Sequence, residues 1–339
     1  MREIIIRPNE AGQRLDKFLT KYMALAPKSF FYKMLRKKNI TLNGRKATGQ
    51  EKLSVNDTVK LFLSDETIDK FTEKKTLHQP ADIPPADLDI LYEDRHTIFI
   101  NKPAGMLSQK AAKNDISLVE YMIGYLLKSR QITEEELCTF HPSVCNRLDR
   151  NTSGIVAAGK TLAALQELSE MFRERSVKKY YLCLAAGTVT QGAHISGFLT
   201  KDPRTNTVIY STSMTKGAAR IETEYRPLST GDNVTLLEVH LITGKTHQIR
   251  AHLASQGHPI IGDYKYGDRK INDRYRSEYG LTSQLLHSVR LCIPECTGTL
   301  SGLSGKVITA PLPELFQRIC EDKKIQRSFL KWPHGVQED

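Results

Sequence analysis

Arg147-Leu-Asp149-Arg150-Asn-Thr-Ser153-Gly154-Ile155-Val-Ala-Ala-Gly159-Lys160-Thr161 admits two architectures. Its second half, from Gly154 to Thr161, satisfies the phosphate-loop spacing GxxxxGK[ST], which would announce a nucleotide-binding sheet. A true phosphate loop has its apolar strand before the first glycine and exposed backbone amides between the glycines. Here the order is reversed, because charged residues precede Gly154 and Ile155-Val-Ala-Ala lies between the glycines. Ile155 to Ala158 is expected as a buried strand, with no nucleotide cofactor.

Outward from this stretch, short apolar runs are mixed with helical ones. LDILYED (88–94), TIFINKPAG (97–105) and KYYLCLAAG (179–187) read as strands, whereas SLVEYMIGYLLKS (117–129) and ALQELSEMFRERS (164–176) read as helices. Hairpin-like segments at 218–224 and 234–242 follow each other closely. Such intermixing predicts an α+β domain with a mixed, largely antiparallel sheet.

The chain has 339 residues, 40% hydrophobic and 26% charged, a globular composition with room for two or three domains. No apolar run approaches the roughly 18 residues of a membrane span, so no membrane segment is expected. The N-terminal MREIIIRPNEAGQRLDKF has only a three-residue apolar core and is not expected to act as a signal peptide. Six scattered cysteines form neither a disulfide framework nor a zinc-ligand pattern, which suits a reduced, cytoplasmic protein. The net charge is +11, and residues 1–63, with 14 Lys or Arg against 5 Asp or Glu, carry +9 of it. A basic module leading a nearly neutral body implies a polyanionic partner such as nucleic acid.

Within that module, Leu15, Phe18, Leu19 and Tyr22 form one stripe of an amphipathic helix. A second helix is expected to open with Ser29 as N-cap and to bury Phe30, Phe31, Met34 and Leu35. Its other side holds Lys33, Arg36, Lys37 and Lys38, a ridge suited to phosphates, and Arg45 follows beyond the Asn43-Gly44 turn. Residues 55–61 alternate like a half-buried strand. Residues 64–87 lose periodicity and contain three prolines, so they are expected as a linker. The predicted domains are 1–63, a basic binding module, and 88–330, the nearly neutral body.

His247, His252 and His258 lack the HExxH spacing of a zinc helix, and no metal site is expected. Helix-capping or RNA-facing roles suit them better. Arg147-Leu-Asp149-Arg150 is the stronger constellation. An aspartate between two arginines is expected to stay ionised, which suits a nucleophile or an electrostatic partner, although a structural ion-pair turn has the same composition.

The N-terminal order of elements resembles the small α-L RNA-binding domain first named from a ribosomal small-subunit protein. Arg14-Leu-Asp16, the Ser29-headed helix and the Ile40-Thr-Leu42-Asn43-Gly44 strand and turn carry the likeness. Phe30 departs from it, since an arginine commonly follows the serine. The rest of the chain resembles pseudouridine synthases of the RluA type in four ordered blocks. These are Asn101-Lys-Pro103-Ala-Gly105, Arg147 to Gly154, Lys179 to Gly187, and Thr243 to Leu253 followed by Gly257 to Asp263; residues 286–313 match more loosely. The resemblance implies Asp149 as catalytic nucleophile and Arg147 as the group filling the space of an extruded base. It also implies Tyr181 stacked on the target uracil and Arg250 paired with Asp149. Asn146 departs from the histidine common before the R-L-D, which bears on contacts at that position alone.

The implied reaction breaks the nitrogen–carbon bond of uridine, turns the uracil and rejoins it through ring carbon five. Nothing is oxidised and no group is lost, so no cofactor is expected. The expected substrate is RNA, foremost large-subunit rRNA, and a monomer suffices. A tRNA-directed synthase and a non-catalytic RNA-binding scaffold are the competing readings.

Overall fold

The computed structural model describes residues 1–72, 87–112, 114–202, 204–205, 207–329 and 335–337. They fall into two compact units.

The first unit takes in the N-terminal residues together with 119–143 and 159–166. Strand β1 (Arg2–Ile5) is followed by helices α1 (Leu15–Tyr22) and α2 (Lys28–Arg36). Strands β2 (Ile40–Leu42), β3 (Arg45–Lys46) and β4 (Thr58–Leu61) come next, then helix α3 (Asp65–Phe71). The strands form an antiparallel sheet in the order β1-β4-β2-β3. Leu15, Phe18 and Leu19 of α1 and Phe31, Met34 and Leu35 of α2 close one core with Ile40, Val59 and Leu61. Asn43 and Gly44 both take positive φ, as the tight hairpin turn between β2 and β3 requires.

Three expectations need correction here. Helix α2 starts two residues early, with Pro27 at the N-cap position and no side-chain cap, so Ser29 lies inside the first turn. Phe30 packs at the margin of the core, half-buried, where it meets Phe71. Residues 64–71, expected within the linker, instead form a capped helix. Ser64 caps α3 by accepting from Thr67 N, and Ile68 is fully buried in the same core. One buried isoleucine and one cap are too short a signal for periodicity to register. Residues 73–86 of the expected linker lie outside the described residues.

Residues 119–143, expected inside the catalytic domain, group instead with the N-terminal elements. They include helices α4 (Leu118–Lys128) and α5 (Glu134–Leu137). Thr139 Oγ1 donates to the buried Glu10 carboxylate at 2.7 Å, a bond across 129 residues of sequence that no local pattern announces.

The second unit is built on one large sheet. Its strands are β5 (Ile90–Glu93), β6 (Thr97–Lys102), β7 (Ser143–Val144), β8 (Ser153–Gly159), β9 (Lys178–Ala186), β10 (Ala193–Asp202), β11 (Thr207–Ser211), β12 (Ala219–Gly231), β13 (Val234–Leu241), β14 (Leu286–Cys292), β15 (Val307–Thr309) and β16 (Gly335–Gln337). The main path runs β11-β10-β12-β13-β9-β14-β8-β6-β5, with β15 on β14, β16 on β15 and β7 on β8. The β8–β14 pair is parallel, while β10–β11, β10–β12, β12–β13, β9–β13 and β9–β14 are antiparallel. The sheet is mixed and largely antiparallel, as the sequence implies. Helices α7 (Gln248–Ser255), α8 (Arg269–Tyr279) and α9 (Glu314–Asp322), with α6 (Leu162–Glu174) from residue 167 onward, complete the α+β fold. Strand β16 carries the sheet past the expected boundary at residue 330.

Strand β8 is buried at every position, so the phosphate-loop spelling is a core strand. Gly154 has φ +111, and a Cβ there would stand 2.2 Å from the Ser288 carbonyl oxygen. Only glycine allows β8 and β14 to approach this closely, immediately after the Arg147–Arg150 loop.

Candidate active site

The loop after β7 carries Arg147, Leu148 and Asp149 into a cleft lined also by Tyr181, Lys245, His247 and Arg250. Several anchors fix that loop. Ser108 Oγ accepts from Leu148 N and donates to Leu148 O, at 3.0 and 2.9 Å. Asn146 Oδ1 accepts from Ala157 N and its Nδ2 donates to Ile155 O, so this side chain is spent on the backbone of β8. Lys102 Nζ, fully buried, donates to the carbonyls of Pro103, Met106 and Arg150 at 2.8, 2.9 and 3.1 Å. Burial pushes its pKa down to about 7, with the Asp149 charge pulling the other way.

The ion pair of Asp149 does not come from its sequence neighbours. Arg147 and Arg150 are exposed, and among the described residues neither makes an ion pair with it. Arg250 does, placing Nη1 3.0 Å from Asp149 Oδ2. Successive residues in a turn point their side chains apart, whereas α7 brings a residue 101 positions away into contact. Arg250 is itself held from behind. Its Nε and Nη2 donate to the two oxygens of Asp263, at 2.7 and 2.8 Å, in a bidentate pair. Asp263 is completely buried and accepts further bonds from Lys265 N and Tyr266 N. Burial is the largest influence on the Arg250 charge and opposes it. Asp263 and then Asp149 more than reverse that, and the pKa is raised.

The turn before α7 is wound tightly around Gln248. Its Oε1 accepts from Thr243 Oγ1 and Lys245 N, and its Nε2 donates to Glu222 O and Thr223 Oγ1. This leaves His247 left-handed, φ 53 and ψ 17, at the N-cap position without a capping bond. Its Nε2 stands 3.9 Å from Asp149 Oδ2.

Tyr181 lies between Val239 of β13 and Ser288 of β14 and is 5% exposed. Burial drives its hydroxyl pKa well above the ordinary value, so it enters the cleft as a neutral phenol.

Four residues singled out by sequence thus meet in one cleft: Arg147, Asp149, Tyr181 and Arg250. Lys33, Arg36, Lys37, Lys38 and Arg45 belong to the first unit and are all exposed. Asp263 and Lys102 were not assigned roles, and His247 was expected only as a helix-capping or RNA-facing residue, whereas it sits at the N-cap position without a capping bond and beside Asp149. All three sit inside the quoted blocks, but their work is done by buried bonds that spacing does not reveal. Among the described residues no group of three or more His, Cys, Asp or Glu could hold a metal ion. Among the same residues no helix is long and apolar enough to cross a membrane.

A sequence profile for RNA pseudouridylate synthase matches residues 96–255. The ribosomal large subunit pseudouridine synthase C of Escherichia coli (strain K12) is 31% identical over 297 residues, 85% of this chain and 87% of that protein. The chain belongs to the RluA-type RNA pseudouridine synthase family. A protein of the same name from Pasteurella multocida is 30% identical over 338 residues, 96% of this chain and 94% of its own length. Among solved structures, human RNA pseudouridylate synthase domain containing 4 superposes with a TM-score of 0.56 at 21% identity, over 70% of this chain and 93% of that one. This likeness speaks for the fold. As a member of the family, the chain is an RNA pseudouridine synthase, an isomerase whose substrate is RNA.

Proposed function

We propose that this synthase converts uridine to pseudouridine in large-subunit ribosomal RNA, with Asp149 as the nucleophile. The names of the relatives from Escherichia coli and Pasteurella multocida support the substrate. The observation that carries the nucleophile is the chain Asp263–Arg250–Asp149. One carboxylate is buried and bidentate; the other is partly open to the cleft, tied through Oδ2 alone. Such preorganisation holds the attacking group in place before substrate arrives.

The reaction breaks N1–C1′, forms C5–C1′, removes the proton on C5 and returns one to N1, so atoms balance without a co-reactant. A carboxylate starts it by attacking the sugar carbon, attacking the ring, or taking a sugar proton toward a glycal. It also stabilises an oxocarbenium-like sugar as glycosidase carboxylates do. Tyr181 stacks on the uracil, and Arg147, an exposed residue of the cleft lining, replaces the flipped base in the helix. Flipping costs a few kcal/mol, which such a replacement offsets in part. Lys33, Arg36, Lys37, Lys38 and Arg45 bind phosphates from the N-terminal unit. The enzyme works as a cytoplasmic monomer without metal or organic cofactor.

The test is Asp149→Asn, assayed by tritium release from carbon five of uracil on large-subunit rRNA and on tRNA, beside filter binding at one salt concentration. Turnover is expected to fall at least about a thousandfold, roughly 4 kcal/mol of barrier, with RNA affinity unchanged or higher. More than about a tenth of wild-type turnover, a loss under about 1.4 kcal/mol, overturns the nucleophile. Release from tRNA alone overturns the substrate.

A further inference from the structure

His247 faces the catalytic carboxylate and has no part in the reading above. Its Nδ1 is 2.9 Å from Tyr266 Oη, and that same oxygen accepts from Val208 N at 2.8 Å. A phenol has one proton to give. Already accepting from Val208 N, Tyr266 can give that proton to Nδ1, an arrangement that puts the imidazole proton on Nε2. That N–H points toward Asp149 Oδ2, the oxygen that Arg250 also holds. Among the described residues no hydrogen bond reaches Oδ1.

We propose that His247 is a positioning residue for Asp149: a neutral imidazole whose Nε2–H closes on Oδ2 and leaves Oδ1 as the oxygen presented to the uridine. This rests on Asp149 as nucleophile. Two independent features agree with it. The backbone of His247 is held left-handed by the Gln248 clamp, a strained conformation of the kind that gathers at functional sites. The 3.9 Å separation is longer than a hydrogen bond, as catalytic contacts often are before substrate tightens them.

The charged and titratable groups facing His247 are Asp149 from its loop, Arg250 from α7, and Asp263, Lys265 and Tyr266 from the loop beyond α7. Burial is the main force lowering its pKa, and Asp149 opposes it while Arg250 and Lys265 add to it. The ring therefore stays neutral at neutral pH. Acid converts it to an imidazolium that pairs with Asp149 and withdraws the carboxylate from attack.

Two measurements test this. Nitrogen-15 chemical shifts of the wild-type chain, with the His247 signals assigned by their loss in His247→Gln, report the tautomer. The Nε2–H form is expected, and an Nδ1–H form overturns the inference. Single-turnover tritium release is then followed between pH 5 and 8.5. The wild-type rate should fall as pH drops through the lowered pKa of His247. His247→Ala should lose at least about tenfold at neutral pH and lack the acid step, so that the gap to wild type narrows in acid, with RNA affinity unchanged. His247→Gln, which keeps an N–H but cannot titrate, should recover to about a third of wild type and lack the acid step. An alanine variant with more than half the wild-type rate and an unchanged pH profile overturns the inference. Should the alanine variant not fold, Tyr266→Phe replaces it: freeing the tautomer should cost about threefold and raise the acid step, and an unaltered profile overturns the idea. Full turnover in Asp149→Asn would sink the nucleophile itself. An inert Asp149→Asn beside an unaffected His247→Ala sinks only the role of His247.

Discussion

The two units spend charge in opposite ways. In the N-terminal unit the basic ridge lies outside an apolar core, and Lys33, Arg36, Lys37 and Lys38 face water. In the sheet unit the charges that matter are inside. Asp263 and Lys102 are fully buried, and Arg250 is 6% exposed. Exposed cations cost little to hold and act at range, so they supply affinity for a polyanion without fixing any one atom. Buried charges are costly unless every oxygen and proton finds a partner, but once satisfied they hold an atom to a fraction of an ångström. On the function proposed above, this difference separates binding from chemistry.

The largest effect that can break this division after Asp149→Asn is Asp263→Ala. It leaves the Arg250 guanidinium buried with half its partners gone, and breaking such a buried pair typically costs about 3–5 kcal/mol of stability. Arg250 would also lose its orientation toward Asp149. Turnover is expected to drop at least about a hundredfold, together with a clearly lower melting temperature. Calorimetry and tritium release on one preparation check both. A variant that melts lower yet turns over normally would show that Arg250 needs no support from behind.

A smaller effect belongs to the other unit. Replacing Lys33, Arg36, Lys37 and Lys38 together by alanine removes up to four phosphate contacts. RNA affinity at low salt should weaken by roughly ten- to a hundredfold, and the slope of log affinity on log salt should lose up to about four units. The plateau rate at saturating RNA should remain. A lowered plateau with an unchanged salt slope would place chemistry in the wrong unit.

How legible each unit was in the sequence follows from the same contrast. The basic ridge, the Asn43-Gly44 turn and the buried strand at Ile155–Ala158 are local patterns, and the structure has each of them. The grouping of α4 and α5 with the N-terminal elements was not legible, because the Glu10–Thr139 bond joins distant residues that look unremarkable alone. At the candidate site, Asp149 and Arg250 stand out within quoted blocks, but Arg147 and Arg150 looked like partners of Asp149 through adjacency alone. Asp263 could have been suspected from Gly262-Asp263 in the fourth block. That it is the bidentate anchor of Arg250 depends on a fold that brings α7 and the following loop face to face.

The smallest effect sharpens the comparison through pH. Two histidines of the sheet unit are buried as neutral rings: His252, whose Nδ1 lies 2.9 Å from Thr223 Oγ1, and His287, whose Nδ1 lies 2.9 Å from Ser153 Oγ. Burial lowers both to about 4, while an unfolded histidine titrates near 6.5. Between those values the unfolded chain binds more protons, so acid favours unfolding. The stabilisation is fully present above pH 6.5 and is lost as pH falls toward 4, on the order of 3 kcal/mol for each ring at most. Residues 1–72 contain no histidine. Their Asp16 and Glu51 have lowered pKa values, burial being the largest and opposing influence, reversed by hydrogen bonds from Arg14 and Tyr32 for Asp16 and from the 48–51 backbone for Glu51. A carboxylate lowered in this way gives up its contribution only as pH falls below the ordinary carboxylate range. Amide hydrogen exchange at pH 6.5 and at pH 5, corrected for the intrinsic rate, separates the two units. Protection should fall in β8, β12 and β14 and hold in α1 and α2. His287→Asn should flatten the pH dependence of the sheet strands. Equal loss of protection in both units would mean that acid acts through something other than these rings.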